Sequence, residues 1–332
     1  MTAQTGNPRA LTQAIRHAIG RAVLAPSVHN TQPWRFVTAG RSLEIYADRS
    51  RRLRVLDPSG RQMLISCGCA LFNARVALAA SGYDVTVERF PDPERPELLA
   101  RLTVGEPSGT WQPIAALDAV IELRQTNRRR FETDPVPPQV VQELVSAATA
   151  EGALLYEITD ADQRYWVAKL SQEADREQNA DPAYRAELRA WTTDDPARRD
   201  GVPSLAVPHV DAGAQDDVPI RDFDTHGTGW LPVATHSSVN QCLLLLGTPA
   251  DRPAAWLPAG EALEHVLLEV TRQGYAASPL TQVVEIPATR DRLRTELRLD
   301  MHPHILMRVG RAPKTPASRR RRMEDVVQET GT

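Results

Sequence analysis

The stretch Ala25-Pro26-Ser27-Val28-His29-Asn30-Thr31-Gln32-Pro33-Trp34-Arg35-Phe36 joins an amphipathic helix to a strand. Pro26 ends the helix. Small hydroxyl and amide side chains follow it, up to the large aromatic residue Trp34. A loop of this kind can hold the edge of a flat ligand with backbone N–H groups and short polar side chains. A capped turn between two core elements has the same composition, and the stretch alone favours neither interpretation.

Length and composition place few limits on function. The chain has 332 residues, 42% of them hydrophobic, which is enough for one large domain or two halves with a shared interface. A formal net charge of -3 gives no basic excess for nucleic acid or an acidic membrane surface. The longest solid apolar run, residues 242–246, is too short to span a bilayer, and the first residues lack the apolar stretch of a signal peptide. We therefore expect a soluble, cytoplasmic protein.

The cysteines and the possible metal ligands give little indication of a disulfide framework or a metal site. Three cysteines give no disulfide framework, and we interpret Cys67-Gly68-Cys69, which lies in an apolar helical run, as core packing. Asp300, His302 and His304 could bind a metal, but Pro303 and the following strand favour a turn. A second possible ligand set lies in an irregular segment: Asp222, Asp224 and His226. We predict no metal site.

Hydrophobic periodicity predicts the order of helices and strands. Helices are predicted over residues 10–24, 61–80, 113–124, 140–148, 162–192 (two polar helices that break near Pro182), 259–273 and 290–299. Strands are predicted over residues 35–47 (a hairpin), 83–87, 101–104, 153–158, 239–246 and 305–309. Residues 193–235 have no period and many prolines and aspartates, so they are expected to be a lid, an arm or a disordered segment.

One order of elements occurs twice along the chain. An apolar helix, a Gly-Tyr pair, an extended segment and a strand that ends in Val-Gly run through residues 82–105 and again through residues 274–310. We interpret this as an internal duplication, with a first half over 1–110 and a second half over 111–332 that carries the insertion at about 193–235. Two similar halves indicate a pseudo-twofold unit in which the interface of a homodimer has become intramolecular.

Arginines cluster around a hydroxyl group at the predicted end of the 113–124 helix, in Arg124-x-Thr126-x-Arg128-Arg129-x-Phe131. Guanidinium groups form bidentate, charge-assisted hydrogen bonds with phosphate, and Thr126 adds a donor. The run of arginines over 319–322 could complete such a clamp. A solvated basic turn and a disordered basic tail account for the same residues. Neither a Gly-x-Ser-x-Gly elbow nor a glycine-rich nucleotide loop is present.

Two motifs together resemble a known family. Pro26-Ser27-x-x-Asn30-x-Gln32-Pro33-Trp34-x-Phe36 resembles the signature of the FMN-dependent nitroreductase superfamily. The arginine cluster resembles that family's phosphate-binding run, and the closing strand and basic tail resemble its C-terminal end. In ordinary members both signatures lie in one subunit, and FMN lies at the dimer interface. Here they are split between two halves, as in the double-length, dormancy-associated Acg-like branch, whose single chain mimics the dimer.

The resemblance implies an α+β protein in which the nitroreductase-like fold is duplicated. It would form a pseudo-dimer of two mixed sheets flanked by helices, with a long lid-like insertion, and act as a monomer. One FMN per chain is implied, because the first half lacks the arginine run and the second lacks the Pro-Ser loop. The resemblance also implies these cofactor-binding residues: Pro26, Ser27, Val28, His29, Asn30, Thr31, Gln32, Arg124, Thr126, Arg128, Ser278, Pro279, Arg320 and Arg321.

The activity implied by the resemblance is that of an FMN-dependent NAD(P)H oxidoreductase. It would reduce a flat aromatic acceptor of the nitro or quinone type, with no nucleic-acid or membrane partner. No catalytic acid or base is expected, since FMN carries the chemistry. Two alternatives stay open: a non-catalytic protein that sequesters FMN under the insertion, and an interaction protein without a flavin.

Overall fold

Helices and strands alternate along the part of the chain that the structure describes. This computed structural model describes residues 8–107, 112–207, 218–223 and 241–329. The α-helices in those ranges are α1 (Pro8–Ala22), α2 (Arg61–Ala80), α3 (Pro138–Ala150), α4 (Ala161–Ala180), α5 (Pro182–Ala190), α6 (Pro253–Arg272), α7 (Gln282–Glu285) and α8 (Pro287–Glu296). The strands are β1 (Trp34–Ala39), β2 (Ser42–Ala47), β3 (Tyr83–Arg89), β4 (Leu98–Pro107), β5 (Leu154–Glu157), β6 (Cys242–Thr248), β7 (Ala276–Pro279), β8 (His302–Gly310) and β9 (Val327–Glu329).

The described strands form two sheets of the same topology. The first has the order β3-β4-β2-β1-β9, and the second, taken from its β7 edge, has the order β7-β8-β6-β5. Strands that correspond in chain order therefore occupy corresponding places, which confirms the predicted duplication. The first sheet is mixed, because β9 pairs in parallel with β1. The four strands of the second are antiparallel, and a parallel bridge joins Thr126 to Ala277 of β7.

The insertion separates two strands of the second half whose counterparts in the first half form a hairpin. β1 and β2 are joined at Gly40, whose φ of 55° suits a tight turn. Their counterparts β5 and β6 are separated by residues 158–241, which include α4 and α5. The described part of 193–207 holds a short 3-10 helix, Ser204–Ala206. Residues 208–217 and 224–235 of the predicted lid lie outside the described residues.

Helices α2 and α6 cross where the two halves meet. A Cβ atom added at Gly68 would lie 2.1 Å from the carbonyl oxygen of Leu257, and one added at Gly260 would lie 2.0 Å from that of Ile65. Each glycine precedes its copy of the Gly-Tyr pair by the same number of residues. The crossing therefore lies at equivalent positions of both halves, as a pseudo-twofold axis requires.

Helix α2 is apolar on nearly all sides because it is surrounded by protein. By length and composition it could cross a membrane, but 83% of its apolar window is buried in the structure. A helix that is apolar all round is typical of either environment. Here its burial identifies a core helix that supports both halves.

A C-terminal arm, residues 311–329, returns from the second half to the first. The backbone N–H of Arg321 donates to Oε1 of Gln32 (2.7 Å), and Nδ2 of Asn30 donates to the carbonyl oxygen of Arg319 (3.0 Å). β9 then pairs with β1. The boundary predicted between residues 110 and 111 lies in a segment outside the described residues, so it stays a prediction.

Most predicted elements occur where the periodicity placed them, and one does not. The helix predicted over 113–124 is a 3-10 helix, Pro113–Val120. Its N-cap residue, Gln112, provides no side-chain cap and donates instead to the carbonyl oxygen of Tyr83 (3.2 Å) in β3. This contact fixes the start of the segment against β3, so its geometry depends on a tertiary contact that periodicity does not show. Helix α7 had no sequence prediction.

Candidate functional site

A cavity between the two halves is lined by both motifs. The space inside it, together with its open mouth, amounts to about 750 Å³. Its walls come from residues 26–29, one stripe of α2, the segment 126–128, the end of β7 and residues 218–223. The lining residues are Pro26, Ser27, Val28, His29, Gln62, Ile65, Ser66, Cys69, Thr126, Arg128, Ile220, Arg221, Phe223, Leu263, Pro279, Thr281, Gln282 and Ile305.

The Pro-Ser loop (residues 26–32) has an unusual backbone. His29, Asn30 and Gln32 have φ values of 51°, 55° and 50°. Left-handed conformations cost free energy in residues other than glycine, and three of them in four residues is unusual. The loop conformation must therefore be held by other contacts.

Side chains of the Pro-Ser loop provide those contacts. The backbone N–H of Gln32 donates to Oγ of Ser27 (2.9 Å), and Nε2 of Gln32 donates to the carbonyl oxygen of Arg199 (2.8 Å). Nδ2 of Asn30 donates to the carbonyl oxygen of Gly201 (2.9 Å). Both amides thus tie the loop to the described start of the insertion as well as to the C-terminal arm.

Thr126 and Arg128 reach the cavity because the chain is extended beside β7. The N–H of Asn127 between them donates to the carbonyl oxygen of Ala277 (2.9 Å), while its side chain donates to that of Pro313 (2.7 Å). Alternate side chains of an extended segment point to opposite sides. Asn127 therefore holds the C-terminal arm, and its two neighbours line the cavity.

Arg128 is a cation without an acidic partner among the described residues. Its guanidinium group lies 5.1 Å from the ring centroid of Phe223. Burial, and the nearby charge of Arg221, lower the pKa of Arg128 to about 10. An uncompensated charge that is partly buried is unfavourable, so this group would gain from an anionic or electron-rich ligand.

His29 is buried in the same wall and is electrically neutral. Burial, then the charges of Arg221 and Arg128, hold the pKa of His29 well below its usual value. Its ring packs edge-on against Phe223, with centroids 5.8 Å apart. His29 therefore adds a flat, uncharged surface to the cavity at neutral pH.

The cover segment, residues 218–223, closes one side of the cavity. Nη2 of Arg221 donates to Oε1 of Glu285 (2.6 Å) and to Oγ1 of Thr281 (3.3 Å), and Nη1 donates to the hydroxyl group of Tyr184. Phe223 is buried in a cluster with side chains of α5. The described part of the insertion is thus anchored to α5 and α7 and lies over the cavity.

Gln62 is the polar side chain that the cavity leaves unsatisfied. It is 2% exposed, and neither its amide oxygen nor its amide nitrogen has a hydrogen-bond partner among the described residues. A buried amide without partners costs free energy. Its donor and acceptor are therefore available to a ligand.

A charged cluster lies directly behind the cavity wall. Nε of Arg124 is 3.4 Å from Oε1 of Glu264, and Nη2 of Arg124 donates to the carbonyl oxygen of Leu24 (3.2 Å). Arg320 donates to the same carbonyl (3.4 Å) and to Oδ1 of Asn30 (3.0 Å). Burial raises the pKa of Glu264 to about 7 although both arginines oppose the shift.

The structure brings half of the predicted binding residues to the cavity. Those that line it are Pro26, Ser27, Val28, His29, Thr126, Arg128 and Pro279. Asn30, Arg124 and Arg320 lie behind the wall. The carbonyl of Thr31 accepts from Nε of Arg51 (2.5 Å), and Nη1 of Arg321 donates to the carbonyl of Gln32 (3.2 Å). Ser278 is fully buried in β7, and its hydroxyl group has no partner among the described residues.

Sequence reasoning did not identify the α2 stripe or the cover segment. Gln62, Ile65, Ser66 and Cys69 recur at helical spacing on one face. Two of these, Gln62 and Ser66, are polar residues on one face of a mostly apolar helix, and that pattern was the available signal. Arg221 and Phe223 lie in an irregular segment, where no periodicity could identify them.

Charged side chains fill the position that corresponds to the cavity by the symmetry of the two halves. Glu261 of α6 corresponds to Cys69, and Arg89 corresponds to Thr281, by their spacing from the Gly-Tyr pairs. The two donors of Arg89 bind Glu261 at 2.6 and 3.0 Å, and Arg75 binds the same carboxylate at 2.6 Å. Glu261 is fully buried, so this ion network occupies the second position.

No group of three or more metal-binding side chains is found in the described residues. Nε2 of His304 lies 2.6 Å from Oγ1 of Thr248 in the core. Burial, then nearby charges, lower the pKa of His304 to about 3. Asp224 and His226 lie outside the described residues.

Comparisons with known proteins identify relatives along nearly the whole chain. No family profile matches. "Putative NAD(P)H nitroreductase Rv3131" of Mycobacterium tuberculosis is 35% identical over 321 residues, 95% of this chain and 91% of that protein. "Putative NAD(P)H nitroreductase acg" of the same organism is 33% identical over 95% of each chain. The solved structure of FMN-dependent nitroreductase NfnB from Mycobacterium smegmatis, in complex with NADPH, is 15% identical, with a TM-score of 0.39 over 66% of this chain and 100% of that chain.

Proposed function

The chain belongs to the NAD(P)H nitroreductase family, and we propose that it binds FMN in the cavity between its halves. The cofactor would pass reducing equivalents from NAD(P)H to a flat aromatic acceptor of the nitro or quinone type. One observation carries the proposal: the cavity joins the Pro-Ser loop of the first half to Thr126 and Arg128 of the second. The two motifs are about a hundred residues apart in sequence and meet at one site.

The residues of the cavity fit the chemistry of FMN. The flavin ring is flat and apolar over its faces, and its pyrimidine edge presents donors and acceptors together. Pro26, Ile65 and Leu263 provide apolar walls. The unsatisfied amide of Gln62 offers both a donor and an acceptor, and Arg128 offers a cation. FMN would satisfy groups that are costly to bury alone.

The protein's contribution would be binding and electrostatics. When bound, FMN supplies the hydride and electron chemistry. Arg128 places positive charge beside the cavity, and the cover segment limits the access of water. His29 stays neutral, and burial raises the pKa of the Cys69 thiol well above its usual value. Neither group is suited to proton transfer near pH 7.

Anaerobic mixing with NAD(P)H tests the oxidoreductase directly. We expect the absorption band of oxidised flavin to disappear when NADPH or NADH is added to the flavin-loaded protein, and to return when a quinone is added. Reduction by dithionite is the control for a competent flavin. A protein that dithionite bleaches but neither nucleotide does would contradict the proposal.

Sequestration of FMN is the second candidate, and the cover segment favours it. Phe223 and Arg221 lie over the face of the cavity that a nucleotide and an acceptor would share, and Arg221 is fixed to Glu285 (2.6 Å). Closure of this segment would protect bound FMN and exclude both reactants. The same mixing experiment distinguishes the two functions, since a sequestered flavin stays oxidised.

We predict one FMN per chain. The equivalent position in the other half is occupied by the buried network of Glu261, Arg89 and Arg75. Opening it would leave a buried carboxylate unpaired, which typically costs about 3–5 kcal/mol. Flavin absorbance against protein concentration after reconstitution should give a ratio near one, and a ratio near two would show that a second site exists.

A further inference from the structure

Behind the cavity wall, a buried carboxylate pairs with Arg124 and lies near a second arginine, Arg320. Glu264 is fully buried, and its nearest polar neighbours are the Arg124 guanidinium group and the Asn73 amide, neither of which forms a well-aligned hydrogen bond with it. Nε of Arg124 and Nε of Arg320 also lack one. The cluster thus has two guanidinium groups, one carboxylate and spare donors that could receive a second anion.

The cluster adjoins the cavity. Two residues of the cavity lining, Cys69 and Leu263, lie next to the cluster. Leu263 precedes Glu264 in α6, and the charges of Glu264 and Arg124 act on the pKa of the Cys69 thiol. Arg320 also donates to Asn30 of the Pro-Ser loop (3.0 Å). Both arginines also donate to the carbonyl oxygen of Leu24, two residues before Pro26 of the cavity wall, which places them beside the end of the cavity that a phosphate would occupy in this proposal.

The charge balance then requires a change at Glu264. A phosphate monoester carries nearly two negative charges above its second pKa of about 6. With an ionised Glu264 the cluster would hold about three negative charges and two positive ones. An uncompensated charge in a buried site is costly, and a carboxyl group there takes up a proton instead.

We propose that Glu264 takes up a proton from solvent when the phosphate of FMN binds Arg124 and Arg320, so that FMN binds more tightly as pH falls toward 7. The Glu264–Arg124 ion pair breaks, bonds form between the guanidinium groups and the phosphate, and the proton is held on a Glu264 carboxylate oxygen. The inference rests on the proposed function, since it requires that FMN binds in the cavity.

The groups around Glu264 are consistent with this linkage. The charged and titratable groups that face it are Arg124 before α3, Arg320 of the C-terminal arm and the Cys69 thiol of α2. Burial keeps the pKa of Glu264 at about 7 despite the two cations, so a nearby anion would raise it further. The thiol stays protonated because its own pKa is raised.

Flavin titrations of the full-length, flavin-free protein test the proposal. Wild-type affinity for FMN should fall by up to tenfold per pH unit between about pH 7 and about pH 9, as expected for uptake of one proton. Glu264→Gln should remove this dependence and bind FMN about tenfold more tightly near pH 8. Riboflavin, which has no phosphate, should show no dependence with either protein.

Calorimetry provides a second measurement that needs no variant. In buffers of different ionisation enthalpy, FMN binding to the wild type near pH 8 should take up about one proton, and riboflavin binding should take up none. Binding of FMN without proton uptake, or an equal pH slope in Glu264→Gln, would overturn the role of Glu264. Failure of both flavins to bind at every pH would instead overturn the proposed function.

Discussion

Gly68→Ala is expected to destabilise the protein by about 1–3 kcal/mol or more, the usual cost of overpacking a core. The new methyl group would lie 2.1 Å from the carbonyl oxygen of Leu257 and 2.8 Å from Cα of Gly260. Both are backbone atoms, so a rotamer change cannot relieve the clash. Helix α6 would have to move away from α2, and one wall of the cavity would move with it.

Gly20→Ala is the matched control for this substitution. Gly20 is also inside a helix, but an added Cβ there would lie 3.6 Å from Cε of Met323, an ordinary contact. Alanine at such a position typically adds about 0.5–1 kcal/mol of stability. Urea unfolding should therefore give midpoints that shift in opposite directions. Equal midpoints for the wild type and Gly68→Ala would show that the helices do not cross at this residue.

Arg128→Ala is expected to weaken FMN binding by roughly 10- to 150-fold, because a hydrogen bond to a charged group is worth about 1.5–3 kcal/mol. The same change should leave the flavin-free protein equally stable or more stable. Arg128 has no acidic partner among the described residues, and burial lowers its pKa to about 10. Removal of such a charge relieves an unfavourable burial.

Arg129→Ala provides the comparison for Arg128→Ala. The Arg129 side chain is exposed and does not line the cavity, while its backbone bonds are unaffected by the substitution. The Arg129→Ala protein should bind FMN with the affinity of the wild type. If Arg128→Ala binds FMN as tightly as Arg129→Ala does, the arginine does not contact the cofactor.

The sequence predicted those helices and strands whose positions follow from the local pattern of apolar residues and glycines. Helix α2 was predicted over 61–80 and occurs there, because its apolar run is bounded by glycine on both sides. The segment 113–124 was less predictable, since its geometry depends on where Gln112 finds partners in β3. The duplication was visible in the Gly-Tyr and Val-Gly pairs, but equality of strand order needed the structure.

Half of the predicted site could be read from motifs, and the rest depends on distant contacts. Residues 26–29 of the loop, Thr126 and Arg128 line the cavity, as their motifs predicted. Arg124 carries the same motif, yet it pairs with Glu264, whose place opposite it no local pattern reveals. Gln62 could be recognised as a ligand-binding candidate only after its missing partners were known.

The C-terminal arm also determines when, during protein synthesis, the Pro-Ser loop can form all of its contacts. Asn30 and Gln32 leave the ribosome early, but Arg319 and Arg321, which bind them, follow 289 residues later. Until those residues are translated, three left-handed residues of the Pro-Ser loop lack part of what holds them. A chain that stops short of the arm would therefore contain every strand from β1 to β8 and still lack the hydrogen bonds that the arm makes with Asn30 and Gln32.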